Sequence, residues 1–337
     1  MSSVLTRRAV IQGGVAAGVG IAMGGSMVAH AADLPAITKA IPSTGEKLPV
    51  VGLGTNQYSV TAPEEIAARR EVLQNFPKLG AKVIDTARGY GESEVVIGNL
   101  LKELGNRDQI FLATKTSIRG EPPTGDGELE LAFQRLQTDR IDLLQIHNFN
   151  AIDALFPKLQ EWKQAKKVRY IGITTSTDEQ YPQVLDALNK LKFDFLQIDY
   201  SIDNRGSEEK ILPLAKEKGV AVLTNVPLGG RRGSVLAKVQ GKPLPAWAAD
   251  YDATSWAQLF LKYNISHPAV TAVIPGTTKL THLKDNQLAG RGRLPDAAGR
   301  KKIEELWASV SARAETAGYF NCGSSHRSNP PRSIAPD

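Results

Sequence analysis

From residue 48 onward, short apolar runs alternate with longer segments in which apolar residues recur every three to four positions. The runs fall near 50–54, 82–86, 110–114, 142–146, 169–173, 195–199, 220–224 and 270–274, and their Val, Ile and Leu content predicts buried strands. Between and after them, segments near 64–77, 92–104, 128–137, 152–164, 178–190, 207–218, 254–263 and 280–288 carry the helical period. Eight strands, each followed by a helix, predict a parallel sheet closed on itself: an α/β protein with a (β/α)8 TIM barrel. The competing architecture is an open doubly wound sheet. It is disfavoured because no G-x-G-x-x-G follows the first strand.

Both ends of the pattern carry additions. Ala36–Ile41 and Leu48–Leu53 are extended runs separated by the turn cluster Pro42-Ser43-Thr44-Gly45-Glu46, which predicts an N-terminal β-hairpin leading into the first strand. Residues 295–318 read as a terminal amphipathic helix, and Asn321–Asp337, polar and rich in Pro and Ser, as a disordered tail. At the other end, Thr6-Arg7-Arg8 precedes Ala9–Ala29, an apolar, glycine-rich stretch without acidic residues that closes on Ala29-His30-Ala31. That layout predicts a signal peptide cleaved near Ala31, and the paired arginines resemble the twin-arginine signal that exports folded proteins. The expected organisation is therefore an export signal over 1–31, a barrel over 32–320 and a tail over 321–337. The mature chain is expected in the periplasm or outside the cell, with the twin-arginine machinery as a partner and no stable membrane insertion.

Composition changes this picture little. Hydrophobic residues at 42% and charged ones at 23% suit a globular chain. The net charge of +6 is scattered among acidic residues without a cationic run, so no nucleic-acid partner is expected. Cys322 is the single cysteine, and its place near the C-terminus excludes an internal disulfide and argues against a nucleophile or a metal site.

In a barrel of this kind chemistry gathers where strands end. Asp85 ends Lys82-Val83-Ile84, Tyr90 follows five residues later, Lys115 ends the run 110–114, and His147 ends Leu143-Leu144-Gln145-Ile146. Each alone has a structural explanation. Together, an acid, a cation, a phenol and an imidazole at successive strand ends form a proton-transfer group. A carboxylate-pair hydrolase is not indicated, because Asp85 has no acidic partner at neighbouring strand ends.

The segment Val83-Ile84-Asp85-Thr86-Ala87-Arg88-Gly89-Tyr90-Gly91, with Glu94, Gly98 and Leu101, resembles the signature of the aldo-keto reductases. Leu53-Gly54-Thr55, Ala113-Thr114-Lys115, Gln145-Ile146-His147, Arg169-Tyr170-Ile171-Gly172, Gln197-Ile198-Asp199-Tyr200-Ser201 and Ile274-Pro275-Gly276-Thr277 follow in that family's order, so the likeness covers roughly 36–290. The resemblance implies hydride transfer from a reduced nicotinamide to a carbonyl carbon, with Tyr90 as general acid. Lys115 would favour the phenolate, Asp85 would fix the ammonium, and His147 would orient the carbonyl oxygen. It assigns the cofactor to Thr55, Thr174, Gln197, Asn225, Leu228, Gly276, Thr277, Lys279, His282 and Asn286. Lys279 is a candidate for a 2′-phosphate, which favours NADPH over NADH. Tyr58, Asn148 and Trp247 are the expected substrate residues, and no metal is expected.

Two departures stand out. Thr174-Thr175 replaces the usual Ser-Asn pair after the fifth barrel strand, and Asn225 stands where an aromatic commonly stacks on nicotinamide. The loop from Leu228 to Asp252, with Arg231, Arg232, Trp247 and Tyr251, is expected over the barrel mouth, the two arginines being candidates for the pyrophosphate. The Asn225 departure also leaves room for a second class of function, a cofactor-holding binding or regulatory subunit with little turnover.

Overall fold

The computed structural model of the chain describes residues 34–116, 126–230 and 233–321. The export segment, Arg231 and Arg232, and the tail from 322 onward lie outside the described residues. The strands are β1 (Thr38–Ala40), β2 (Lys47–Pro49), β3 (Leu53–Gly54), β4 (Val83–Asp85), β5 (Phe111–Lys115), β6 (Ile141–His147), β7 (Val168–Thr174), β8 (Phe195–Asp199), β9 (Ala221–Asn225) and β10 (Val270–Val273). From β3 to β10 they pair side by side in chain order, all parallel. Parallel bridges Val51–Val273 and Gly54–Gly276 join the last strand to the first and close the (β/α)8 barrel.

The helices alternate with these strands: α1 (Pro63–Asn75), α2 (Ser93–Leu104), α3 (Asp126–Leu136), α4 (Ile152–Gln164), α5 (Tyr181–Lys190), α6 (Ile211–Glu217), α7 (Val235–Lys238), α8 (Trp256–Ser266), α9 (Leu280–Leu288) and α10 (Ala297–Asn321). Predicted boundaries shift where proline intervenes. Pro182 opens α5, so residues 178–180 form a separate 3-10 turn ahead of it. The terminal helix runs to Asn321, past the expected end at 318.

The run Leu48–Leu53 is not one strand. Residues 47–49 pair antiparallel with β1, after which the chain crosses into the barrel at Gly52, where a Cβ would meet Val83 O at 2.7 Å. The hairpin plugs the floor of the barrel. Ile41 and Leu48 are buried in one cluster with the inward-facing Val83, Phe111, Leu143, Tyr170, Phe195 and Leu223. The rings of Phe111, Tyr170 and Phe195 contact one another at 5.5–5.9 Å between centroids. Truncating one such ring to alanine costs about 3–5 kcal/mol. Lys39 of the hairpin donates to the carbonyls of Ile265, His267 and Val270 at 2.6, 3.2 and 2.6 Å, which ties the plug to the turn between α8 and β10.

With the floor filled by apolar side chains, inward positions of four strands above it form a polar layer. Asp85, Lys115, Gln145 and Gln197 occupy it, two residues beyond Val83, Ala113, Leu143 and Phe195, because side chains on one face recur with period two.

Candidate active site

Asp85, Lys115 and His147 are the last residues of three adjacent strands, β4, β5 and β6, and all three are buried at the mouth. Lys115 Nζ donates to Asp85 Oδ2 at 2.6 Å and to Thr86 O at 2.8 Å, and lies 3.5 Å from the Tyr90 hydroxyl. The Tyr90 ring meets His147 edge-on, with centroids 6.0 Å apart. Tyr90 rides on the turn between β4 and α2, fixed by backbone bonds from Thr86 N to Ala113 O and from Tyr90 N to Ala87 O. Below that turn sits buried Glu94, which accepts from Thr114 Oγ1 at 2.6 Å and Arg135 Nε at 3.0 Å, while Arg135 Nη2 also donates to Gly91 O. Gly91 has φ +60°, and a Cβ there would meet Ser59 Oγ at 2.6 Å, so the turn needs glycine.

Charge at the site follows from burial and pairing. Burial alone would lower the Lys115 ammonium, but Asp85 and Tyr90 more than offset it and hold the group above its ordinary value, so the lysine is charged. Burial pushes the Asp85 carboxyl up against the pull of Lys115, Gln197 and Gln145. The short contact between the two is that of an ion pair. Burial first, and the Lys115 charge second, push the His147 imidazole down to about 3, against a partial opposing effect of the Thr116 backbone. His147 is therefore neutral, with one N–H to give.

Above this group a cleft of about 420 Å³ is lined by Thr55, Asn56, Gln57, Tyr90, Gln197, Asn225, Leu228 and Gly276, among others. It adjoins a second chamber of about 750 Å³ through the shared residues Leu228, Leu236 and Gly276. His282 and Asn286 face that second chamber, with Lys242 and Trp256. Asn225 donates from Nδ2 to Thr175 O at 2.9 Å, and its Oδ1 is buried without a partner. A long groove, polar over the proton-transfer group and more apolar in its second chamber, with an orphaned acceptor and a side-chain-free crossing at Gly276, fits an extended ligand with both hydrogen-bond donors and flat rings.

The model of the aldo/keto reductase family matches residues 50–307. The chain belongs to that family. Aldo-keto reductase YhdN of Bacillus subtilis is 31% identical over 200 residues, which cover 54% of this chain and 59% of that protein. Methylglyoxal reductase DkgB of Yersinia pestis is 28% identical over 251 residues, 72% of this chain and 87% of the relative. In structure, the barrel superposes on an aldo-keto reductase from Klebsiella pneumoniae in complex with NADPH, with a TM-score of 0.65 and 22% identity, covering 81% and 96% of the two chains. Aldo/keto reductases are nicotinamide-dependent oxidoreductases acting on carbonyls and alcohols.

Set against the expected aldo/keto reductase site, the proton-transfer group and most of the cofactor residues gather at the mouth, Thr174, Thr277, Lys279 and Asn148 border neither cavity, and Tyr58 and Trp247 turn away. Thr55 donates to Asp85 O at 2.8 Å and borders the cleft, and Thr174 lies in register between His147 and Gln197. Thr277 is buried and caps the turn into α9, receiving Lys279 N at 3.2 Å, while Lys279 itself is exposed. Asn148 follows His147 with φ 53°, its backbone bonded to Thr174 O and to the Gln180 amide.

Tyr58 is a correction: it is fully buried, and its hydroxyl donates to Thr277 O, so it offers no surface to a substrate. Trp247 is another. Its ring packs against Lys302 of α10 and Tyr251, because the second half of the loop turns away from the mouth and docks through Asp252 on Arg293. Only the first half, to about Lys242, borders the groove. The residues sequence reasoning missed are Asn56 and Gln57, the two amides after Thr55, and Val226, exposed at φ 42° between Asn225 and Pro227. The position of the amides immediately after a barrel strand was the available signal. Nothing in the sequence marks the strained backbone of Val226.

Proposed function

We propose that this protein is an NADPH-dependent reductase of aldehydes, ketones and sugar-like carbonyls. The observation that carries the reading is the Lys115 ammonium, bonded to Asp85 and within reach of the Tyr90 hydroxyl at the base of the cleft. The cofactor, when bound, supplies the hydride. Tyr90 gives the proton to the carbonyl oxygen, and the adjacent ammonium stabilises the charge left on the phenol oxygen. Asp85 keeps that ammonium in place, and the neutral His147 ring donates the hydrogen bond that orients the carbonyl. Gln197 and Asn225 would hold the nicotinamide end, Leu228 and Gly276 the middle, and Asn286, Thr277, His282 and Lys279 the adenosine end. Lys279, on the loop after the last barrel strand, is the reason for preferring NADPH to NADH.

A second reading, a cofactor-holding subunit with little turnover, is favoured by one observation, Asn225 where a stacking ring is usual. Mixing the protein with NADPH and a panel of aldehydes, methylglyoxal included, while following absorbance at the reduced nicotinamide band decides between them. Consumption of NADPH supports the reductase; tight binding without consumption supports the subunit.

We also infer export, from Arg7-Arg8 and the glycine-rich stretch behind them. Free nicotinamide nucleotides are scarce outside the cytoplasm, so an exported reductase needs cofactor loaded beforehand and released slowly, with the loop from Leu228 as the retaining element. Fractionation followed by denaturation and nucleotide assay tests this. Periplasmic protein carrying near-equal NADP(H) is expected; empty protein there, with affinity weaker than micromolar, removes the preloading.

A further inference from the structure

One buried side chain of the polar layer has no role in the proton-transfer group, yet it touches both Asp85 and the cleft residue Gln197. Gln145 lies on β6, two residues before His147, and is fully buried. Its Nε2 donates to Asp85 Oδ1 at 3.3 Å and to Gln197 Oε1 at 2.9 Å. Gln197 Nε2 in turn donates to Asp85 Oδ2 at 3.3 Å, beside Lys115 Nζ. Three side chains from β4, β6 and β8 thus close a ring.

The ring requires Gln145 to cross β7, which separates β6 from β8. At the crossing β7 carries Gly172, in register with Gln145 on one side and Phe195 on the other. A Cβ on Gly172 would stand 3.1 Å from Gln145 Cγ and 3.0 Å from Phe195 O, tighter than ordinary contact. The glycine opens the path that the glutamine uses.

Polarity within the ring is dictated by the carboxylate. An ionised Asp85 only accepts, so both amides turn their nitrogens toward it. The second Gln145 hydrogen then falls on Gln197 Oε1, and Gln145 Oε1 is left buried without a partner. An orphaned carbonyl is tolerated only where the bonds made by the same amide outweigh it. With its oxygen held by Gln145 and one hydrogen held by Asp85, Gln197 is left with a single orientation at the cleft.

We propose that Gln145 is a positioning residue of the reduction, holding the Gln197 amide in one orientation toward the nicotinamide end of the cofactor and coupling it to the ionised Asp85–Lys115 pair. The proposal rests on the NADPH reading above. Gln145→Met keeps the length of the side chain and gives up both hydrogens. NADPH affinity is measured by fluorescence titration in the wild type, Gln145→Met, Gln197→Met and the double variant.

Gln145→Met is expected to weaken NADPH about fivefold, the loss of one neutral buried hydrogen bond. In the Gln197→Met background the same change should have less than about a twofold effect, since its partner is gone. The acid limb of kcat/KM should move to higher pH in Gln145→Met, because Asp85 loses a donor to its charged form. If Gln145→Met does not fold, Gln145→Glu replaces it: a carboxyl can give at most one hydrogen, and its ionisation beside Asp85 should make NADPH binding weaken as pH rises.

Equal losses of affinity in both backgrounds, or unchanged affinity and pH profile with only a lowered melting temperature, would assign Gln145 to packing and overturn the proposal. Failure of the wild type itself to bind NADPH would overturn the cofactor reading together with it, and is visible before any variant is compared.

Discussion

A lysine is held near each end of the barrel, half-buried at the floor and fully buried at the mouth, and the two are held differently. At the floor, Lys39 gives its hydrogens to three neutral carbonyls, and burial, with Arg300 adding to it, lowers the amine to about 8. At the mouth, Lys115 faces a carboxylate, one carbonyl and a phenol, and is held above its ordinary value. Neutral acceptors satisfy hydrogens without holding a charge; a carboxylate does both. The floor lysine is a fastener. Its counterpart at the mouth keeps a permanent charge beside a transferable proton, and Gln145, His147 and Asn225 each carry a buried atom without a partner.

The sharpest test of that contrast is Tyr90→Phe, which removes the proton donor and should lower turnover by a factor of about 10² or more while NADPH affinity holds. Near-normal steady-state rates would take Tyr90 out of its role. Next in size, Lys115→Met should cut turnover by about tenfold or more and reshape the pH–rate profile. Lys39→Met, by contrast, should leave kcat intact and cost about 1–3 kcal/mol of stability, seen as a melting point lower by several degrees. Comparable losses of kcat in the two lysine variants would erase the distinction.

Asn225→Tyr, at the unpaired side of the mouth, should tighten NADPH by up to about tenfold if a ring there stacks on the nicotinamide. Weaker binding in a fluorescence titration would mean that the bond from Asn225 to Thr175 O matters more than the stack.

The smallest effect is a pH dependence at the floor. Lys39 titrates at about 8 in the folded protein against 10.5 ordinarily, so between those values the unfolded chain holds a proton that the folded one has released. Stability contributed by Lys39 therefore rises with pH across that window and is least below it. Denaturant melts of the wild type and Lys39→Met at pH 7.5 and 10 should show the gap between them widening; a gap that narrows would mean that Lys39 gains protons on folding.

Much of this was legible beforehand for a physical reason: a strand buried on both faces must be an apolar run, so seven of the eight runs marked their strands to within a residue, while the first, expected over 50–54, is a strand only over Leu53–Gly54. The acid, lysine and imidazole were legible because each breaks its run at its end. What stayed hidden depends on where a side chain goes once its backbone is placed. Tyr58 follows the first strand as a pocket residue would, yet it turns inward to the Thr277 carbonyl. Trp247 sits in a loop long enough to cover the mouth, but Lys302 and the Asp252–Arg293 pair draw that half of the loop outward. Gln145 lies within Gln145-Ile146-His147, but nothing in that motif shows that Gly172 on the next strand lets its side chain cross.

The floor plug also fixes an order of events during synthesis. Lys39 leaves the ribosome early, yet its acceptors lie 226, 228 and 231 residues further along the chain. The barrel floor therefore cannot be sealed until residue 270 has been made, and the half-built sheet presents an open edge until then. Sealing of this barrel is therefore a late step, in which its earliest segment is among the last to find its place.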